Sequence, residues 1–219
     1  MNHRLRVASL ATATALLGSG IAVVASAPAH AADVDVAVTS WTKSAQVGKN
    51  VTIKGTITDA EGDPVTTGIA GLARKVGNGD WQPVKDDQSP QTFRFTDKPT
   101  RATSYRVVYA DQTGTQAYSS VQMHVKVHRA VGRPRLLPRK GALAGPVKPA
   151  YKHSRVVIQE RAIGSGPWER VKVVKTNAKS RWVLRVPKKY MHYRAVVRAS
   201  HGLAWTASPG TLVRPRDFR

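Results

Sequence analysis

Gly77-Asn78-Gly79-Asp80-Trp81-Gln82-Pro83-Val84-Lys85 returns 87 residues later as Gly164-Ser165-Gly166-Pro167-Trp168-Glu169-Arg170-Val171-Lys172. The shared pattern G-x-G-x-W-x-x-V-K holds five identities in nine positions, and its tryptophans are two of the protein's five. The two glycines are expected to supply the positive φ angles that a tight hairpin needs, and the tryptophan to open the returning strand. Other landmarks keep nearly the same spacing. Tyr105-Arg106 returns as Tyr193-Arg194, and Gly55…Ala60 as Gly145…Ala150. A hairpin signature repeated together with its flanking landmarks marks two copies of one folding unit.

Around the hairpin, apolar and polar residues alternate in short runs, which predicts strands with one buried face. In the first copy the runs cover 33–38, 50–57, 69–76, 92–96, 104–110 and 117–127. Val51, Ile53, Ile57, Phe93, Phe95, Tyr105, Val107 and Tyr109 point inward, and Val121, Met123, Val125 and Val127 share one register. The second copy starts with a basic, proline-marked junction over 128–141. There follows a run over 144–150 that Pro146 and Pro149 should confine to a sheet edge or a bulge. Strands are then expected over 155–161, 168–174, 181–186 and 193–197, with a last one near 204–213. Trp182, Leu184, Val186, Tyr193, Ala195 and Val197 face inward, while Arg181, Arg185, Arg194 and Arg198 face outward. About seven short strands per copy, separated by turns, predict an all-β sandwich.

The order of elements resembles the immunoglobulin-like and fibronectin-III-like repeats of secreted bacterial proteins. The resemblance rests on the G-x-G-x-W-x-x-V hairpin, the paired inward aromatics and the Tyr-Arg strand. It implies an all-β fold of two tandem immunoglobulin-like β-sandwiches after an N-terminal signal peptide, with a tyrosine corner at Tyr105 and Tyr193. The units would be the signal peptide over 1–32, a near-neutral sandwich over 33–127 and a basic sandwich over 128–219. Such modules serve as spacers, adhesins and binding units alike, so the resemblance implies a fold more than a function.

Arg4 and Arg6 precede an apolar run to Ala27, and Ala29-His30-Ala31 follows Pro28. This is the layout of a cleaved secretory signal, and the polar and glycine residues within the run weaken a spanning helix of about 20 residues. With no cysteine, an exported chain has no disulfide to staple it, and each unit must stand on its own core. The combination points to export from a Gram-positive-type cell and to a secreted location, wall association being the finer expectation, with no transmembrane segment after cleavage.

The charge is uneven. The whole chain carries +22, yet residues 33–127 hold 11 Lys and Arg against 10 Asp and Glu. Residues 128–219 hold 22 against three: Glu160, Glu169 and Asp217. A shared fold does not require that asymmetry, which therefore speaks to partners. The candidate polyanion-binding residues are Arg133, Arg135, Arg139, Lys140, Arg181, Arg185, Lys188, Lys189, Arg194 and Arg198. The expected partner is an anionic cell-wall polymer or another polyanion, held electrostatically and released by salt. No motif for sequence-specific nucleic-acid reading is present.

Other chemistry finds little support. His124, His128, His153, His192 and His201 lack recognisable carboxylate partners or metal-ligand spacing, so neither a catalytic site nor a metal or other cofactor is expected. Asp59, Glu61 and Asp63 sit in a loop whose sixth and twelfth positions, Pro64 and Ala70, do not fit a helix-flanked calcium loop. Trp81 and Trp168 are candidates for stacking on a ligand. Their equivalent placement in two very different charge environments favours a shared structural job, such as covering an edge of the core. A protein–protein adhesion or assembly module, with incidental charge, is the alternative function.

Overall fold

Alternating runs become strands with one buried face across the computed structural model, which describes residues 34–87, 90–119, 121–164 and 166–218. The signal peptide expected over 1–32 lies outside the described residues. The first unit holds β1 (Val34–Trp41), β2 (Ser44–Gln46), β3 (Val51–Asp59), β4 (Ile69–Val76), β5 (Gln82–Asp87), β6 (Thr92–Asp97), β7 (Thr103–Ala110), β8 (Gln116–Tyr118) and β9 (Met123–His128). The second holds β10 (Ala130–Val131), β11 (Arg135–Leu137), β12 (Ala142–Lys148), β13 (Arg155–Arg161), β14 (Glu169–Lys175), β15 (Arg181–Arg185), β16 (Met191–Val197), β17 (Thr206–Ala207) and β18 (Thr211–Val213). The chain is all-β, built as two tandem immunoglobulin-like sandwiches.

In the first sandwich, β1-β3-β6 forms one sheet and β2-β9-β7-β4-β5 the other, with β8 also on β7. Ile53, Ile57, Leu72, Phe93, Phe95, Tyr105, Val107 and Met123 fill its core. In the second, β12 joins β10, β11 and β15, and β14-β13-β16 continues to β17 and β18. Its core holds Leu143, Val156, Ile158, Trp182, Tyr193, Ala195 and Val213.

The repeated landmarks acquire physical reasons. Gly55 pairs with Phe93 and Gly145 with Trp182, each across a β-ladder. A Cβ at Gly55 would strike the Phe93 ring, and one at Gly145 would lie 2.9 Å from the Trp182 indole. Each glycine clears backbone against which a large inward aromatic lies. The hairpin strands also share a bulge, between Leu72 and Ala73 in one copy and between Ile158 and Gln159 in the other. Gly77 and Gly164 adopt positive φ as expected, but Gly79 and Gly166 do not, so one left-handed residue suffices for each turn.

The last strand of each sandwich is broken, where one strand over 117–127 and one near 204–213 were expected. Ser119 Oγ accepts from the Val107 amide and donates to the Val121 carbonyl. Ser208 Oγ accepts from the Ala195 amide and donates to the Pro209 carbonyl. In both copies a hydroxyl takes over a ladder bond and the chain steps outward, which leaves Val121 41% exposed rather than in register with buried Met123.

Pro146 departs from expectation in the other direction. It lies inside β12, which is paired on both sides, not at an edge. The Val147 amide donates to Ser180 on the β15 side. Pro146, with its missing N–H, therefore faces the gap between β10 and β11, where its carbonyl accepts from Gly132. Gly132 leaves room there for the proline ring, whose atoms would lie 2.8 Å from a Cβ. Much of the basic junction is likewise folded, as β10, β11 and a 3₁₀ turn over Pro138–Lys140.

A single residue, Arg129, separates β9 from β10. The two sandwiches also meet through the hairpin after β16, where His201 and Gly202 both take positive φ. Its tip buries Leu203 in the first core, the Ala204 amide donates to Val127, and the Gly202 carbonyl accepts from Ala102.

Tyr105 and Tyr193 are both fully buried, but their hydroxyls meet different fates. Tyr105 donates to Asp97 at 2.8 Å, and Asp97 pairs with Arg74. Beside Tyr193 the signs are exchanged: Glu160 stands opposite it in the ladder, as Arg74 does opposite Tyr105, and pairs with Lys189. The Tyr193 hydroxyl itself has no hydrogen-bond partner. Burial, then the neighbouring carboxylate, pushes both phenols well above the ordinary tyrosine range.

Two predictions follow from this packing. Gly145→Val is expected to destabilise the second sandwich by about 1–3 kcal/mol, because the fully buried indole has nowhere to move. Denaturant titration of the full chain would check it, with a midpoint shift under about 0.5 kcal/mol counting against the ring–backbone contact. Tyr105→Phe should cost about 1.5–3 kcal/mol through the lost bond to a carboxylate, while Tyr193→Phe should be neutral or stabilising. Both phenols stay protonated in the fold, so their contribution is intact below about pH 10 and is lost as pH rises above it. Each Phe variant should therefore flatten the alkaline limb of a stability–pH profile.

Candidate functional site

The exposed face of the β14-β13-β16 sheet gathers cations from three strands. Cross-strand register places Arg155 beside Lys175, Val157 between Val173 and Val196, Gln159 between Arg170 and Arg194, and Arg161 beside His192. Residues two apart share a face, so these side chains form one surface. Arg155, Val157, Arg170, Val173, Lys175 and Arg198 line an open groove of about 400 Å³. Its floor is the two valines, its walls are four basic side chains, and no acidic residue lines it.

At one end of this face Trp168 meets two guanidinium groups, with Arg161 4.8 Å and Arg194 4.4 Å from its ring centroid. Arg194 also donates from Nε to Gln159 at 2.8 Å. Burial and the adjacent Arg161 charge hold the Arg194 pKa below its ordinary value. Trp81 repeats the arrangement in the first sandwich, 4.5 Å from Arg106, the counterpart of Arg194. Neither ring belongs to a core cluster, so the tryptophans do not cover a core edge as expected. Their common job lies on the outer face, where each ring clamps an arginine of the Tyr-Arg strand.

The same face of the first sandwich carries fewer cations. Its β4 and β7 partners are Ile69 with Ala110, Gly71 with Val108, Ala73 with Arg106 and Lys75 with Ser104. Lys75 and Arg106 thus match Arg161 and Arg194, whereas Ile69, Pro83 and Ala110 stand where the second copy has Arg155, Arg170 and Arg198.

The ten candidate polyanion-binding residues do not form one patch. Arg194, on β16, and Arg198, just past its end, belong to the groove face. Arg181 and Arg185 are exposed on β15, in the opposite sheet, and Arg135 is exposed on β11. Arg133 precedes β11, and Arg139 and Lys140 follow it in the 3₁₀ turn. Lys188 lies 5.9 Å from the Phe218 ring centroid, and Lys189 is engaged by Glu160. Sequence reading missed Arg155, Arg161, Arg170 and Lys175. They flank the repeated hairpin, and pairing its strands in register would have gathered Arg155, Arg170 and Lys175 on one face, though not beside Arg194 on β16 or Arg198 just past its end.

Among the described residues no group of three histidine, cysteine or acidic side chains could hold a metal ion. His124 Nδ1 lies 2.8 Å from Ser104 Oγ, and His128 Nδ1 lies 3.2 Å from Ser44 Oγ. In the acidic loop, Asp59 accepts from the Asp63 amide, which closes the turn on itself. No described helix is long and apolar enough to cross a membrane.

No family model and no curated protein sequence matches the chain. Among solved structures it is similar to a tetra-tandem repeat in the extending region of a large adhesion protein. Identity there is 11% over 84% of this chain and 49% of that one, with a TM-score of 0.36. It is also similar to the FN1-FN3 domains of chicken CNTN1, at 16% identity over 84% of this chain and 67% of that one, with a TM-score of 0.33. The chain spans about half the length of the adhesion-protein fragment.

Trp168→Ala is expected to destabilise the second sandwich by about 1–2 kcal/mol, since it removes the ring on which two arginines stack. Trp168→Phe should recover part of this. Equal loss in the two variants, measured by denaturant titration, would argue against ring–guanidinium stacking as the cause.

Proposed function

We propose that the chain is an exported, non-enzymatic binding module whose basic sandwich docks on an anionic envelope polymer. The near-neutral sandwich serves as a spacer or partner-facing unit, with the division between them at Val127 and His128. The observation that carries this reading is the groove at Arg155, Arg170, Lys175 and Arg198, whose lining includes no acid. Among the described residues of the second sandwich, one ion pair is formed, Glu160 with Lys189. Self-repulsion among so many cations opposes compactness, and a polyanion would relieve it. The two-valine floor suits a polymer whose charged groups are separated by apolar carbon. Binding requires no cofactor.

Protein–protein assembly through sheet edges is the second reading. β14 is a free edge and Val171 on it is 41% exposed. Glu169, Arg170, Lys172 and Lys175 blunt that edge against strand addition, which makes this reading the weaker one.

Binding of the full chain to bacterial walls with and without their phosphodiester polymer, across a salt series, tests the proposal. Affinity should depend on the polymer and fall steeply with salt. Substituting Arg155, Arg170 and Arg198 together by Gln should make the log–log salt slope shallower by roughly 0.9 per lost phosphate contact. Lys54→Gln, on the first sandwich, should leave it unchanged. Binding that ignores salt, or survives the triple substitution, would move the assembly reading forward.

A further inference from the structure

The junction between the sandwiches holds a second basic cavity, distinct from the groove face. It measures about 380 Å³, and its polar lining comes from both sandwiches: Thr100 and Arg101 from the first, Arg129, Lys152, Ser154 and His201 from the second. No carboxylate lines it. Arg129 is the unusual member, a guanidinium only 4% exposed. Its Nη1 donates to the carbonyls of Pro149 and Ala150 at 3.3 and 3.5 Å, and its plane stacks 4.6 Å from the Tyr151 ring centroid. Its Nε is buried with no partner at all.

Two weak carbonyl contacts and a ring do not neutralise a buried positive charge, which usually requires a counter-charge. Among the described residues lining the cavity none supplies one, and burial holds the Arg129 pKa below its ordinary value. The neighbouring Lys152 and Arg101 both add positive potential. They are exposed, so an anion entering from solvent meets them first.

We propose that this interdomain cavity is an anion site for a phosphate group, with Arg129 at its base and Arg101 and Lys152 at its mouth. A phosphate monoester carries about 1.5–2 charges and a diester one, but both present several acceptor oxygens to three formal cations, which a single carboxylate does not. Arg101 and Lys152 belong to different sandwiches, so the bound anion bridges them. It adds to the clasp made by Leu203, Ala204 and Gly202, and it steadies the angle between the units. The phosphate comes either from free phosphate and monoesters or from the diester backbone of a polymer. This inference does not rest on docking at the outer groove.

The test is a titration of the full chain with inorganic phosphate at constant ionic strength, chloride being the balancing anion. Amide resonances of Ala102 and Ala204, whose bonds cross the junction, report occupancy. A saturable, single-site shift is expected, with a rise in Tm that follows phosphate concentration. Glycerol 3-phosphate and dimethyl phosphate are parallel arms. Saturation by the first alone supports a free phosphate or monoester as ligand, and saturation by both supports a polymer backbone. Lys152→Gln and Arg101→Gln, both at exposed positions, should each weaken binding roughly tenfold or more, as expected for loss of a charge-assisted bond. Arg170→Gln, in the outer groove, should not. Absence of a saturable shift with all three ligands would overturn the proposal. So would equal weakening by Arg170→Gln, which would mean nonspecific screening.

Discussion

Phe93 on Gly55 and Trp182 on Gly145 are the contacts on which each sandwich depends. A flat ring laid against bare backbone ties the glycine-bearing strand to its neighbour within the sheet in a single register. A shift by one residue would turn the ring to solvent and place a Cβ-bearing residue beneath it. The flanking inward residues, Ile53 and Ile57 or Leu143 and Val147, are buried because that register is held. Both copies keep this arrangement although the ring differs, because what matters is the clearance on the glycine side.

With the core specified this way, the outward face is free to diverge. Side chains on alternate positions of β4 and β7, or of β13 and β16, do not enter either core. Their charge is constrained only by solvation and partners. The Trp–Arg clamp sits on this face in both copies, and it sets where arginine is tolerated close to the backbone. The second sandwich extends that theme outward to Arg155, Arg170 and Arg198. The ion pairs beneath the two tyrosines exchange signs with no change of fold, which again shows that pairing is required there and polarity is not.

The junction follows a different logic. A one-residue connection would leave two modules free to swing, yet the hairpin after β16 inserts Leu203 into the neighbouring core. An apolar anchor across a boundary, with backbone hydrogen bonds beside it, makes the second sandwich part of the first one's stability. Arg129, the residue between the units, is buried beside this anchor against Pro149, Ala150 and Tyr151.

The all-β class, the two-copy organisation, the inward aromatics and the concentration of cations in the second copy were legible in the chain by itself. These follow from local alternation, turn residues and composition, which do not need partners to be known. What the tertiary structure decided depends on register and on contacts between distant segments. Pro146 is tolerated mid-sheet because β10 and β11 leave a gap opposite it. Ser119 and Ser208 break the last strands because their hydroxyls reach one ladder amide. Arg155 and Arg170 become neighbours of Arg198 only once β13 lies between β14 and β16. The burial of Arg129 needs Pro149, Ala150 and Tyr151 folded back on it from the far end of β12, and no local pattern encodes such a contact.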